Sequence, residues 1–312
     1  MEILKTVSEY DGQTITSSLY IPPSPKALVV VFHGLMEHRH RYQDFAQALF
    51  DQGFAVLSPD HRGHGDSPYD GKIFGYFAKD NGWVVNVEDL QRVIYQAKLK
   101  TGPLDIYLFG HSMGSLAARS YLKRFENELS GVYLSGSSAY SPMVYIGRFL
   151  AQILSVIKGK RPCGLLFHMI FDPFNKPLAP NRTPFDWLSV DEANVDRYIA
   201  DPRCGFVLPA KGYKDLFDGL LDVYRSRDWT VMRPDLPIQF VTGEFDVPAG
   251  MKKGVDHAVN TLQKEGYRNV GSRIYRDVRH ELLQEQIKEQ VTQDFLLWLD
   301  ELTSIKARSA VA

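Results

Sequence analysis

The sequence predicts an α/β protein with a mostly parallel sheet of eight strands flanked by helices, and two observations lead to this class. Short runs rich in β-branched and aromatic residues alternate along the 312-residue chain with helical patterns. The stretch 136–236 breaks this alternation and is far longer than the roughly 30 residues of a whole βαβ unit. We therefore expect one sheet domain with an insertion after its sixth strand.

The strands differ in how polar and apolar residues alternate along them. Strands are predicted at residues 3–8, 14–20, 28–32, 54–58, 105–109, 131–135, 237–242 and 272–276. The run 28–32 is apolar without alternation, which is typical of a central strand that is covered on both faces. Residues 14–20 mix polar and apolar positions as an edge strand does. The first two strands are therefore expected to form an antiparallel edge.

Helical patterns separate the later strands. They are predicted at residues 41–52, 85–99, 113–125 and 251–265. A last helix carries one apolar face, made of Ile287, Val291, Phe295, Trp298 and Leu302. The repeated order of strand, helix and strand predicts a parallel sheet with right-handed crossovers.

The insertion, residues 137–230, is predicted to be a small helical cap on a core formed by residues 1–136 and 231–312. Its helices are predicted at residues 143–157, 189–200 and 209–226. The tetrapeptide 189–192, Ser-Val-Asp-Glu, has the spacing of a capping box at the start of the second helix. Loops are expected at the prolines of the cap, Pro162, Pro173, Pro177, Pro180 and Pro184.

Composition excludes several classes of protein. Hydrophobic residues make up 44% of the chain, which is typical of a globular protein and not of a disordered one. The net charge of −1 provides no overall field to attract nucleic acid or anionic lipid. The two cysteines, Cys163 and Cys204, are too few for a disulfide framework. The sequence shows no leader and no long apolar stretch, so a soluble cytoplasmic protein is predicted.

A candidate nucleophile follows the predicted strand 105–109. The chain runs there into Gly110-His111-Ser112-Met113-Gly114 and then into a helical pattern. A serine on so sharp a turn needs small neighbours, because a Cβ at Gly110 or Gly114 would collide with the next strand or helix. A glycine-rich turn with a buried serine hydroxyl is the alternative. The strand before it and the helix after it favour Ser112 as a nucleophile.

A nucleophilic serine needs a histidine to accept its proton and a carboxylate to orient that histidine. In the order serine, acid, histidine, both partners lie downstream of the insertion, where only His257 and His280 remain. His257 falls inside a helical pattern, so His280 is predicted to be the base. Asp246 is the predicted acid because it lies on the loop after the strand 237–242.

Two other carboxylates compete with Asp246. Glu244 lies nearer the strand, and Asp277 lies nearer the strand that precedes the histidine. For the oxyanion of the tetrahedral intermediate, the N–H groups of Met113 and Leu35 are the predicted donors, unless the loop 33–38 is a plain strand-to-helix connection.

Two histidine-containing segments, 38–40 and 60–66, resemble clusters of zinc ligands. Zinc is disfavoured because neither segment has a cysteine or a third histidine to complete a ligand set. The glycines of the second segment instead predict a tight turn in which His and Asp side chains cap backbone groups. No metal and no organic cofactor is predicted.

Several motifs resemble one family of enzymes. They are His33-Gly34, Glu37-His38, Arg41-Tyr42, the segment 60–67, Gly110-His111-Ser112-Met113-Gly114-Ser115, Gly243-Glu244-Phe245-Asp246 and His280-Glu281-Leu282-Leu283. Together they resemble α/β-hydrolases of the monoacylglycerol lipase and lysophospholipase type, grouped with the serine aminopeptidases, and the resemblance covers the whole chain. It implies that Ser112, Asp246 and His280 form the triad, with the amides of Leu35 and Met113 as the oxyanion hole. It also implies a cap that covers the active site and lines an acyl-chain tunnel. Met36 is a departure, since the family often has glycine or another small residue there.

The expected function is therefore hydrolysis of carboxylic esters of monoacyl lipids through an acyl-enzyme. Apolar cap residues are candidates for binding the acyl chain, namely Phe149, Ile153, Phe167 and Phe171. The sequence leaves open whether such residues line a tunnel, contact a membrane surface transiently or form only the core of the cap. The alternatives are a short-chain carboxylesterase, an aminopeptidase or amidase of the same superfamily, and a catalytically silent ligand-binding protein. No oligomeric state is predicted.

Overall fold

The structure is a computed structural model that describes residues 1–226 and 228–311, with side chains described through residue 304. Arg227 and Ala312, which fall within the predicted cap and core ranges, lie outside the described residues. The eight strands are β1 Glu2–Val7, β2 Thr14–Tyr20, β3 Leu28–Phe32, β4 Ala55–Pro59, β5 Ile106–His111, β6 Gly131–Ser135, β7 Ile238–Gly243 and β8 Val270–Tyr275. Each predicted strand is confirmed to within one or two residues.

The strands form one sheet in the order β1-β2-β4-β3-β5-β6-β7-β8. β1 pairs antiparallel with β2 and β2 pairs antiparallel with β4, whereas all the other pairs are parallel. The antiparallel edge is thus confirmed. β2 itself is not an edge strand, because it lies between β1 and β4, and its Ser17 and Ser18 are buried.

The helices are α1 Gln43–Asp51, α2 Gly82–Thr101, α3 Met113–Phe125, α4 Val144–Lys158, α5 Gly164–Asn175, α6 Glu192–Ala200, α7 Ala210–Tyr224, α8 Met251–Glu265 and α9 Lys288–Val311. Among these, α3 and α8 have the bounds that the sequence predicts. The sequence does not predict α5, because a loop is expected at Pro173. Pro173 lies in the last turn of α5, where its missing N–H removes one hydrogen bond and not a whole helix.

Helices cover both faces of the sheet. Leu28, Val30 and Phe32 of β3 belong to a core shared with α2, α3 and α8. The alternate residues Val29 and Val31 belong to a second core, shared with α1 and α9. This arrangement explains why β3 is apolar at every position. No described helix has the length and hydropathy needed to cross a bilayer.

The insertion between β6 and β7 contains α4 to α7 and has an apolar cluster of its own. The start of α6 differs from the predicted capping box. Asp191 is the N-cap, and its Oδ1 accepts a hydrogen bond of 3.0 Å from the N–H of Ala193. Glu192 is the first helical residue, and the hydroxyl of Ser189 donates to Glu285 instead of capping the helix. The side chain of Asp191 therefore caps α6, whereas the sequence predicted a capping box made of Ser189 and Glu192.

Candidate active site

Ser112 lies between β5 and α3 with a φ of 52° and a ψ of −117°, a strained backbone conformation. The residues two positions before and after it, Gly110 and Gly114, must be glycines. A Cβ on Gly110 would lie 2.5 Å from the carbonyl oxygen of Gly114, and a Cβ on Gly114 would lie 2.2 Å from the carbonyl oxygen of Phe32. The N–H of Ser112 donates to the carbonyl of Ser135 on the next strand, at 2.9 Å. The turn thus presents Ser112 at the carboxyl edge of the sheet.

His280 and Asp246 meet in the interior at this same edge. Nδ1 of His280 lies 2.9 Å from Oδ1 of Asp246, and the two side chains are almost fully buried. Asp246 also accepts hydrogen bonds from the hydroxyl of Thr242 at 2.8 Å and from the N–H of Ala249 at 2.9 Å. The proton of neutral His280 therefore sits on Nδ1, which leaves Nε2 as the basic atom.

The charges around His280 favour its protonated form. Burial alone would lower the pKa of His280, but the carboxylates of Asp246, Glu281 and Glu37 outweigh burial and raise that pKa above its ordinary value. A base with a raised pKa accepts a proton from a hydroxyl more readily, provided that it is neutral at the working pH.

The competing residues lie elsewhere. Glu244 and Asp277 are exposed, and the carboxylate of Glu244 accepts a hydrogen bond from the N–H of Asp277. His257 lies on α8, where its ring stacks on Tyr224 at 5.4 Å between centroids. Of the three acids that the sequence proposes, Asp246 is therefore the one whose carboxylate is hydrogen-bonded to His280.

A cavity of about 260 Å³ joins Ser112 to His280. Leu35 and Met113 border the cavity as well. Its apolar wall is formed mainly by the insertion between β6 and β7, through Ile170, Phe171, Phe174, Trp187, Leu216, Phe217 and Leu220. Two serines and a tyrosine that follow β6 add hydroxyl groups to the wall of the cavity, namely Ser138, Tyr140 and Ser141. The site is thus a mostly apolar pocket with Ser112 at one side.

The four cap residues named from the sequence have different positions. Phe171 lines the cavity. Phe167 is buried in the apolar cluster of the insertion, and its ring is tilted against that of Phe171, at 5.1 Å between centroids. Phe149 and Ile153 do not line the cavity, since they lie on the outer face of α4 with 67% and 42% of their surface exposed. The sequence missed Trp187, whose ring lies 5.4 Å from that of His280.

The loop after β3 brings the candidate oxyanion donors to the cavity. Within residues 1–226 and 228–311, no hydrogen bond uses the N–H of Leu35 or of Met113, the first residue of α3. Met36 has a φ of 57°, the left-handed region in which glycine is more common. Its carbonyl oxygen accepts hydrogen bonds from the hydroxyl of Tyr198 at 2.9 Å and from the N–H of Gly205 at 3.0 Å. Cap residues therefore hold this loop.

A buried ion network supports the same loop from the core. The carboxylate of Glu37 accepts hydrogen bonds from the N–H of Gly34 and from the hydroxyl of Tyr42. Arg41 lies between Glu37, at 2.6 Å, and Glu281, at 2.8 Å. Burial raises the pKa of Glu37, whereas at Glu281 the guanidinium outweighs burial and lowers the pKa. The network thus connects the loop 33–38 to the residue that follows His280.

The histidine-rich segments form hydrogen bonds with backbone and carboxylate groups. Asp60 accepts from the N–H groups of Arg39 and Asp66, as predicted for a capping aspartate. The structure does bring a cysteine to His38, which the sequence did not reveal, because ligand atoms of His38, Asp201 and Cys204 lie within 4.8 Å of one another. Nε2 of His38, however, donates to Asp201 at 2.8 Å, while its Nδ1 accepts from the N–H of His40. These hydrogen bonds account for both nitrogens of His38.

Comparison with known proteins agrees with this geometry. The serine aminopeptidase, S33 family matches residues 23–287. A monoglyceride lipase homolog of monkeypox virus is 35% identical over 277 residues, which are 88% of this chain and 90% of that protein. The monoglyceride lipase of Rattus norvegicus is 30% identical over 238 residues, 76% of this chain and 71% of that protein.

Solved structures show the same fold. A thermostable carboxyl esterase from Bacillus coagulans superposes with a TM-score of 0.89 at 24% identity, over 97% of this chain and 98% of that one. The resemblance drawn from the motifs is therefore confirmed. The chain belongs to the serine aminopeptidase S33 family, whose members are serine hydrolases with the α/β-hydrolase fold.

Proposed function

We propose that Ser112, His280 and Asp246 form the catalytic triad of an enzyme that hydrolyses carboxylic esters of monoacyl lipids, such as monoacylglycerols or lysophospholipids. One observation supports the proposal above all others. Ser112 and His280 line the same apolar cavity, and His280 is hydrogen-bonded to the buried Asp246. Neither a metal nor a cofactor has a role in this mechanism.

The chemistry follows from the positions of the donors and acceptors. Nε2 of His280 removes the proton of the Ser112 hydroxyl while the serine oxygen attacks the ester carbonyl. The N–H groups of Leu35 and Met113 stabilise the oxyanion. When the tetrahedral intermediate collapses, His280 returns the proton to the departing alcohol and an acyl-serine ester remains. A water, deprotonated by His280, then releases the carboxylic acid and restores the serine.

The size and polarity of the cavity support a substrate with one acyl chain. Its volume of about 260 Å³ lies just below the roughly 300–1,000 Å³ of typical small-molecule sites, which leaves little room for a second chain. Aromatic and aliphatic cap residues suit an alkyl chain, whereas Ser138 and Ser141 offer hydroxyl groups to a polar head group. Two relatives bear the name monoglyceride lipase or its homolog, which agrees with this substrate class.

We also propose that residues 137–230 act as a cap over the site and contact membrane surfaces transiently through α4. The outer face of this helix exposes Ile146, Phe149, Ile153, Val156 and Ile157. Lys158 ends the helix, and Lys160 and Arg161 follow it. An exposed apolar helix face beside basic residues is typical of interfacial binding.

The test is an activity profile across acyl lengths and bond types. Monoacylglycerols and lysophospholipids should be cleaved faster than acetate or butyrate esters, because short chains leave the apolar wall unused. A sharp preference for acetate would favour a short-chain carboxylesterase. Aminoacyl amides belong in the same assay, since the family bears the name serine aminopeptidase.

A fluorophosphonate probe tests the nucleophile directly. The wild type should be labelled, and Ser112→Ala should not. Ser115→Ala is the matched control, because its hydroxyl donates to the carbonyl of Ser112 one turn away. An unlabelled wild type would favour a silent ligand-binding protein and would reject the triad.

A further inference from the structure

His33 directly follows the buried strand β3, and its ring has one defined tautomer. Nδ1 lies 2.7 Å from the carbonyl oxygen of Gly34, and a carbonyl oxygen can only accept. Nε2 lies 3.0 Å from the backbone N–H of His61, which can only donate. The proton of His33 is therefore on Nδ1. Burial and the adjacent rings of His61 and His64 hold the pKa of His33 well below its ordinary value, so the ring stays neutral.

The carbonyl that accepts this proton belongs to the peptide group of Leu35. In a trans peptide the C=O of one residue and the N–H of the next lie in one plane and point in opposite directions. The hydrogen bond from His33 to the oxygen of Gly34 therefore fixes the direction of the Leu35 N–H. It also polarises that N–H, because hydrogen bonds in a chain strengthen one another.

A second histidine, His61, holds His33 in place through two hydrogen bonds, one of which is the contact from its backbone N–H to the ring of His33. Nε2 of His61 donates to the carbonyl oxygen of His33 at 3.1 Å, and Nδ1 of His61 accepts from the side-chain amide of Asn86 at 3.2 Å. The oxygen of that amide accepts from the N–H of Arg62. His33, His61 and Asn86 are fully buried. Each of these donors meets an acceptor, so His33 and His61 each have one defined tautomer.

We propose that His33 is a positioning residue of the oxyanion hole, which sets the direction of the Leu35 N–H through the carbonyl of Gly34. His33 touches neither the substrate nor the reacting atoms. The proposal rests on the proposed function, because it assumes that Leu35 donates to an oxyanion. It explains why three neutral polar side chains, His33, His61 and Asn86, are buried beside the site. Apolar side chains could be buried there at a lower cost in free energy.

Two isosteric substitutions separate this role from packing. An asparagine amide can occupy the place of Nδ1, so His33→Asn keeps a donor for the oxygen of Gly34. A glutamine amide reaches the place of Nε2, so His33→Gln keeps the partner of the His61 N–H and loses the donor. Since removal of a whole oxyanion donor costs about 100- to 1,000-fold in kcat, we expect about 10- to 100-fold for His33→Gln and about threefold or less for His33→Asn.

The measurements are kcat, KM and the inhibition constant of an alkyl boronic acid, which forms a tetrahedral adduct on serine. In His33→Gln, KM should change less than twofold, while boronate affinity should fall in proportion to kcat/KM. Equal losses in the two variants, or boronate affinity that does not follow kcat/KM, would overturn the proposal.

The wild type gives a readout that requires no variant. In ¹⁵N-labelled enzyme, the ring nitrogens of His33, assigned through its own Cβ, should show a proton on Nδ1 and none on Nε2. A proton on Nε2 would overturn the proposal as well. Fluorophosphonate labelling of the wild type distinguishes a failure of the proposed function from a failure of the proposed role of His33. If labelling fails, the proposed function fails, whereas if labelling succeeds and the variants behave alike, only the role of His33 fails.

Discussion

Arg41 and Glu281 lie 240 positions apart in the chain, yet the guanidinium of Arg41 forms two hydrogen bonds with the carboxylate of Glu281. The pair is almost completely shielded from water, with 11% and 3% of the two side chains exposed. Arg41 follows the loop 33–38, and Glu281 follows His280. The contact therefore joins the two loops that carry the proposed oxyanion donor Leu35 and the proposed base His280.

Removal of Arg41 should destabilise the protein strongly. In Arg41→Ala, the carboxylates of Glu37 and Glu281 stay buried and lose their common partner, so we expect a loss of about 3–5 kcal/mol in the free energy of unfolding. Urea denaturation measures this loss. Arg268→Ala is the matched control, because its ion pair with Asp235 is exposed to solvent and should contribute little to stability. Equal effects of the two substitutions would contradict the buried network.

The pH dependence of activity should report the carboxylates around His280. Only neutral His280 can act as a base, so kcat/KM should rise with pH through a midpoint above the ordinary histidine pKa of about 6.5. Glu281→Gln removes one of the charges that raise this pKa, so the midpoint should move to lower pH. Glu244→Gln, at an exposed position, should leave the midpoint in place. A midpoint below 6.5 in the wild type would contradict the electrostatic argument.

Gly136 provides the space for the base. A Cβ at this position would lie 2.9 Å from Cε1 of His280 and 3.2 Å from Oδ2 of Asp246. Gly136→Ala should therefore displace the imidazole and lower kcat by about 100-fold, since small misplacements of reacting groups are costly. Gly102→Ala is the matched control, because Gly102 also has a positive φ but its Cβ would meet no atom within 4 Å. That control should lose about 1 kcal/mol of stability and little activity.

Local patterns were sufficient to predict most of the fold. The bounds of α3 and α8 follow from apolar periodicity and from glycines at their ends, and the strand Leu28–Phe32 follows from its apolar run. Ser112 was predictable because the turn requires glycines at two fixed positions. His280 was predictable because few histidines follow the insertion. Each of these signals lies within a few residues of the feature that it predicts.

Contacts between distant segments could not be predicted in this way. Helix periodicity identifies α4 as amphipathic, but it does not indicate that α7 packs on the face of Gly147 and leaves Phe149 outside. The pairing of Arg41 with Glu281 leaves no local signal in either segment. The tautomer of His33 depends on His61, which lies on a neighbouring strand end. These features depend on packing between distant segments, which leaves no local pattern in a single sequence.

The exposed face of α4 should bind lipid vesicles. Phe149→Ser removes a large apolar side chain that is 67% exposed, so it should reduce co-sedimentation with phosphatidylcholine vesicles without changing the hydrolysis of soluble p-nitrophenyl esters. Leu99→Ser is the matched control, because Leu99 is 64% exposed on α2 of the core. If both variants bind vesicles as the wild type does, α4 is not a membrane contact.

Acid should destabilise the fold through buried histidines beside the active site. Burial lowers the pKa of His61 to about 3 and that of His64 to about 4, and it holds the pKa of His33 well below its ordinary value. In the unfolded chain these groups take up protons near pH 6.5, while in the folded protein they stay neutral until about pH 4. Because the unfolded state then binds more protons, the free energy of unfolding should fall as the pH falls from 6.5 to 4.

The slope of this loss identifies its source. Each buried histidine should contribute up to about 1.4 kcal/mol per pH unit in that interval, as urea denaturation at a series of pH values would show. His64→Asn keeps a side-chain donor for the carbonyl of Arg62, to which Nδ1 of His64 bonds at 2.9 Å, and removes the titrating group. It should therefore flatten the slope. His168→Asn, at an exposed position on α5, should not change it. An unchanged slope in His64→Asn would show that His64 does not contribute to the acid sensitivity.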